Sequence, residues 1–119
     1  MPNEPAAKKI TVAELLAETL EVFGPNGEHW CQHTFHNSRG QHCLVGGLEE
    51  AKYKLTGSRI LANHVEHTAV CKLSQEANAC ITRWNDSRAS YSEVKELVCR
   101  VIKKELDNAI DKSPNTGAS

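Results

Sequence analysis

The sequence predicts an α+β domain that is mainly α: four or five helices around one core, with a short two-stranded β-hairpin between Trp30 and Cys43 packed on it. Three observations carry this. Apolar residues recur at helical spacing over most of the chain. At 119 residues the chain is long enough to bury one core without disulfides or a structural metal. Between Glu28 and Cys43 the helical period lapses, leaving Trp30 and Phe35 among imidazoles and short polar side chains around an Asn37-Ser38-Arg39-Gly40 turn. A single domain over 10–111 is expected, between a disordered arm at 1–9 and a disordered tail at 112–119, both too polar to pack.

The first helix is announced by Thr11 as N-cap, by Glu14 completing a capping box, and by a stripe of Val12, Leu15, Leu16, Leu20 and Phe23. Gly24-Pro25-Asn26-Gly27 ends it in a tight turn. The hairpin runs out through Glu28 to Phe35 and returns over Gln41 to Cys43, with Gly40 free to take a positive φ. Leu44, Leu48, Ala51 and Leu55 then mark a second helix with Gly46 and Gly47 in its first turn. Glycine there weakens the helix, so its benefit is close approach, with the indole of Trp84 or Trp30 as the expected neighbour. On that reading Gly47→Ala is mild and Gly46→Val destabilising. A phosphate loop is excluded by Glu49 and Glu50, which would repel an anion.

After Gly57, Ser58 caps a third helix bearing Ile60, Leu61, Val65 and Thr68. Leu73, Ala77, Cys80, Ile81 and Trp84 form a further stripe, either continuing that helix or following a bend near Cys71 to Ser74. Asn85-Asp86-Ser87 stops it, Asn tolerating the left-handed conformation of a helix end. Ser90 with Glu93 reads as a second capping box, opening a last helix striped by Val94, Leu97, Val98, Val101, Ile102, Leu106 and Ile110.

Composition narrows the function classes. A formal net charge of -1 supplies no positive field for nucleic acid or anionic lipid. No apolar run reaches a membrane span, and the start lacks the apolar core of a signal peptide, so a cytoplasmic protein is expected. Five cysteines in a reducing compartment should persist as thiols, mostly small and buried.

Alternate residues of a strand share a face, so His29, Cys31 and His33 could present zinc ligands, with His36, His42 and Cys43 nearby. No familiar ligand spacing is present, and solvated imidazoles are the plainer reading; no metal or cofactor is expected. His64, His67 and Cys71 could chelate along a helix, though a polar-edged face with one buried thiol explains them as well. Cys43, just ahead of a helix N-terminus, could be an activated thiol with His42 or His64 as base and Asn85 or Asp86 to orient it. No signature of such enzymes surrounds it, which favours a buried or cap-proximal cysteine. Finally, Trp30, Gln32, Cys43, Trp84, Asn85 and Asp86 could line a polar-aromatic ligand pocket, where the plainer reading is a core tryptophan followed by helix-stop residues.

The pattern Trp30-x-Gln32, Phe35, Gly40, Cys43-x-x-Gly46-Gly47-Leu48, Trp84-Asn85-Asp86 and Ser90-x-x-Glu93-Val94 resembles a small domain of unknown function found in actinobacteria and their bacteriophages. The resemblance covers Val12 to Ile102. His33, His36 and His42 do not belong to that pattern, which weighs further against zinc. It implies an accessory protein with no activity to carry over. The leading expectation is therefore a non-enzymatic phage or actinobacterial protein that binds a host protein component. The alternative is a small-molecule-binding or Cys-dependent hydrolytic pocket formed by the six residues named above.

Overall fold

The computed structural model describes residues 9–111, with side chains through residue 109; the arm, all but its last residue, and the tail expected at the two ends lie outside the described residues. The first helix, α1 (Val12–Phe23), begins as its sequence dictates. Thr11 Oγ1 accepts from the Glu14 amide at 3.0 Å while Glu14 Oε1 accepts from the Thr11 amide at 2.9 Å, so two donors at the helix start are satisfied reciprocally. Its buried face carries Leu15, Leu16, Val22 and Phe23. The chain then passes through a long loop into α2 (Leu44–Thr56), α3 (Asn63–Ala77), the short α4 (Ile81–Asp86) and α5 (Tyr91–Asp111). Helix α1 lies most extensively on α2, and also against α5 and α3. The core between them is built from Leu15, Leu16, Phe23, Leu44, Leu48, Ala69, Leu73, Ile81, Leu97 and Val98. No helix among the described residues is long and apolar enough to cross a membrane.

The expected hairpin between Trp30 and Cys43 is not formed. Among the described residues there is no strand, and residues 24–43 make a loop with two isolated bridges, Trp30 with His42 and His36 with His42. The domain is helical without a β-sheet. Two physical causes are visible. His33 takes φ 72, which breaks the extended backbone between Trp30 and Phe35. The polar groups of the outgoing segment also bond to α4 and its end: Gln32 Nε2 donates to the carbonyls of Asn85 (2.9 Å) and Arg88 (2.8 Å), and the His33 amide donates to Asp86 Oδ1 (2.7 Å). The turn itself is as expected, with Gly40 at φ 74.

Other boundaries differ in instructive ways. The third helix starts at Asn63 and not after Ser58, because the Ser58 hydroxyl closes a local turn by accepting from the Ile60 and Leu61 amides (3.1 and 3.2 Å), and Ala62 adopts φ 59. Ile60 is consequently 78% exposed. Beneath this turn lies Lys52, 3% exposed, whose ammonium donates to Glu66 Oε1 (3.0 Å), the Arg59 carbonyl (3.1 Å) and Asn63 Oδ1. The break before α4 falls at Asn78, φ 54, beyond the region of Cys71 to Ser74, while Asn85 has no positive φ. The second capping box is replaced by a Ser90–Ser92 hydroxyl contact and a Glu93–Arg88 ion pair. The α5 stripe is buried only through Val101; Leu106 is 53% exposed, and the Ile110 side chain lies outside the described residues.

The glycine pair is buried in the first turn of α2, as close approach requires, but its neighbours are not indoles. A β-carbon on Gly46 would collide with the Phe35 carbonyl, and one on Gly47 would stand 2.5 Å from Phe23 Cζ and 3.2 Å from Thr19 Cγ2. The expectation that Gly47→Ala is mild is therefore withdrawn. Each glycine-to-alanine change should lower stability by about 1–3 kcal/mol through overpacking. Gly46 should suffer more, since a backbone carbonyl cannot rotate away as a ring can. Urea unfolding of the two variants measures this, and a Gly46→Ala protein as stable as the wild type would contradict it.

Candidate functional site

Helix α4 carries Trp84, Asn85 and Asp86, the loop carries Trp30 and Gln32, and Cys43 is the N-cap of α2. The fold brings five of these six predicted residues together. Asn85 is fully buried, and its carboxamide is surrounded by partners. Oδ1 accepts from the Trp30 indole N–H (2.7 Å) and the Leu44 amide (3.2 Å), and Nδ2 donates to the Cys31 carbonyl (3.2 Å) and Asp86 Oδ1 (3.3 Å). Gln32 and the His33 amide add the bonds to the end of α4 already described. Trp84 takes no part: it packs on the edge of the core and carries the Arg88 guanidinium 4.8 Å from its ring centroid. Polar groups that could have greeted a ligand are thus bonded to one another. The adjoining open space is a recess of ≈ 250 Å³ lined by His33, Thr34, Phe35, Cys43, Thr82 and Asp86, with the Phe35 ring half exposed at its rim.

Cys43 is 2% exposed, and its Sγ accepts from the Gly46 amide at 3.4 Å. Burial pushes its thiol up; the amides of Gly46 and Val45 pull it down, but less. The cap-proximal reading of this cysteine fits, and the activated thiol does not. No imidazole among the described residues hydrogen-bonds its sulfur, and the Asn85 amide is engaged elsewhere, so the Cys-His-Asn arrangement is not assembled. His42 lies next in the chain, but its Nδ1 meets His36 Nδ1 at 2.7 Å, and its basicity is lowered first by burial and then by His36.

The expectation that most thiols are buried is corrected: Cys71, Cys80 and Cys99 are exposed, Cys31 intermediate, and only Cys43 buried. Cys80 precedes α4 with its thiol held below the usual range by the amides of Arg83 and then Thr82. Among the described residues no group of three or more His, Cys, Asp or Glu side chains is placed to hold a metal ion. Cys31 Sγ donates to the Thr34 carbonyl (3.6 Å), His33 turns to Asp86 (3.7 Å), and on α3 His67 meets Cys71 at 3.6 Å.

Sequence reasoning missed two features of the loop. One is the exposure of Phe35, and the other is the pairing of His36 with His42, which their placement three residues either side of Arg39 could have signalled. The thiols supply a direct check on the electrostatics. Alkylation followed site by site across pH 6–9 should modify Cys80 well before Cys43, around the ordinary thiol range near pH 8.5. Faster labelling of Cys43 in the folded protein would overturn the assignment of a buried, protonated cap.

No curated protein and no solved structure matches the chain. A family described as "Family of unknown function (DUF6197)" matches residues 7–104. That span takes in α1 through most of α5, with the whole loop and the Asn85 cluster, and the chain belongs to this family of unknown function.

Proposed function

We propose that this chain is a non-enzymatic accessory protein of actinobacteria or their phages that binds a host protein in the cytoplasm. The contact runs through Phe35 and the recess beside it. The observation that carries the reading is Phe35 itself: the residue is 50% exposed although its backbone is held, the carbonyl accepting from the Cys43 amide at 3.1 Å. An aromatic side chain on an immobile base loses little conformational freedom on binding, which is what an interface anchor needs. Phe35, Thr82, Thr34 and Cys43 give the recess an uncharged wall suited to an apolar side chain from the partner, with His33 and the Asp86 carboxylate on the remaining lining. Near-neutral net charge favours such a partner over nucleic acid.

The alternative, a small-molecule or hydrolytic pocket of Trp30, Gln32, Cys43, Trp84, Asn85 and Asp86, has less support. Its nucleophile would be a thiol raised by burial, and its orienting amide already holds four partners.

The reading is tested by affinity capture from an actinobacterial lysate with wild-type protein and a Phe35→Asp variant side by side, both shown to be folded by circular dichroism. A host protein retained by the wild type should be depleted at least about tenfold by the variant, the effect expected of an interface anchor. Identical recovery with both proteins, or a copurifying metabolite in place of a protein, would defeat it.

A further inference from the structure

The loop holds a second constellation that the Asn85 cluster does not use. The Asn37 amide donates to the Gln41 carbonyl (3.0 Å) and the Cys43 amide to the Phe35 carbonyl (3.1 Å), so these bonds bracket His36 and His42. That makes the two histidines the non-hydrogen-bonded pair of an antiparallel bridge, the position in which facing side chains stand closest. Their Nδ1 atoms meet at 2.7 Å, with ring centroids 4.9 Å apart and planes at 81°. On its other side His36 Nε2 lies 3.0 Å from Glu49 Oε1. A carboxylate only accepts, so His36 carries its proton on Nε2 and turns the Nδ1 lone pair toward His42. The bare face of Gly46 makes room for this: a β-carbon there would lie 3.2 Å from His36 Cε1 as well as on the Phe35 carbonyl.

We propose that His36 Nδ1 and His42 Nδ1 form a two-imidazole site for a divalent transition-metal ion of the nickel, copper or zinc type, with Glu49 orienting His36 and water filling the remaining positions. Imidazole suits these ions, and a carboxylate on the far ring nitrogen is the usual partner of a metal-bound histidine, fixing its tautomer and orientation. Access is open, the His36 and Glu49 side chains being 43% and 40% exposed. The nitrogen spacing is close to what ligation requires. Two nitrogens each about 2.0–2.1 Å from one ion stand roughly 2.9 Å apart at a tetragonal corner and roughly 3.3 Å apart in a tetrahedron. From 2.7 Å the two nitrogens need to part by only a few tenths of an ångström for the tetragonal case, but the 4.9 Å between centroids sets the rings almost head-on, so each must also swing to aim its lone pair at the ion; the short N–N separation ranks copper and nickel ahead of zinc. For neutral rings no proton need leave: the one on His42 Nδ1 moves through solvent to His42 Nε2, and the ion binds beside the N–N line, where the two lone pairs converge. The site is independent of Phe35 binding a partner.

Calorimetric titration of the full, reduced chain with Ni²⁺ tests this. One ion per chain should bind, His36→Gln and His42→Gln should each weaken binding at least tenfold, and Glu49→Gln should weaken it about tenfold without removing a ligand. His67→Gln, which disrupts the His67–Cys71 pair on α3, should change nothing. Absent saturable binding, binding that survives His42→Gln, or binding lost with His67→Gln would each overturn the proposal. Should the histidine variants fail to fold, the folded Glu49→Gln protein decides: undiminished affinity there overturns it.

Discussion

The carboxamide of Asn85 is the interaction on which the rest of this structure depends. Its oxygen sits between the Trp30 indole and the amide of Leu44, the first residue of α2, and its nitrogen reaches back to the Cys31 carbonyl. The Leu44 amide is one of the donors that a helix start leaves without an intrahelical partner, so Asn85 helps to cap α2 from across the core. Each such bond adds only about 1 kcal/mol net, but leaving its buried partners unmatched costs about 1–3 kcal/mol apiece, so the site tolerates Asn and little else. Six residues are too few for a helix to persist alone. Helix α4 is held by burying Ile81 and Asn85, and in return it holds the loop.

What the loop presents follows from that restraint. With no sheet to pair with, residues 24–43 are fixed by long-range bonds to α4 and by the seat that Gly46 offers the Phe35 carbonyl. Phe35 and the His36–His42 pair ride on this fixed backbone at the surface, whereas Trp30 points inward toward Tyr91, ring centroids 6.1 Å apart. Chemistry-bearing side chains thus divide into an inner set that fastens and an outer set that faces solvent.

The sequence was legible where structure is set locally. The capping box of Thr11 and Glu14, the start of α2 at Leu44 and the Gly40 turn all follow from neighbours within a few residues. It was illegible where the deciding partner is distant. Trp30 and Gln32 alternate like a strand, yet their bonds go to residues 53 to 56 positions away, and no local period reports that. The start of α3 was misplaced because the Ser58 hydroxyl closes a local turn and Ala62 takes φ 59, a turn that sits over a buried Lys52 bonded to it and to the following helix, and a capping residue read alone reports neither. As for the site, the residues singled out do converge, apart from Trp84. They converge to fasten the loop; His36 and His42 were among the candidate ligands of the expected hairpin, but their direct pairing was not read, because shared faces were counted along a strand and not across the turn.

The central claim is that Asn85 holds the loop, α2 and α4 as one unit. Equilibrium urea unfolding of Asn85→Ala tests it most directly. The Trp30 indole and the Leu44 amide would both lose their acceptor, and a loss of roughly 2–5 kcal/mol is predicted. A loss within about 0.5 kcal/mol, the range of an ordinary surface substitution, would contradict the account.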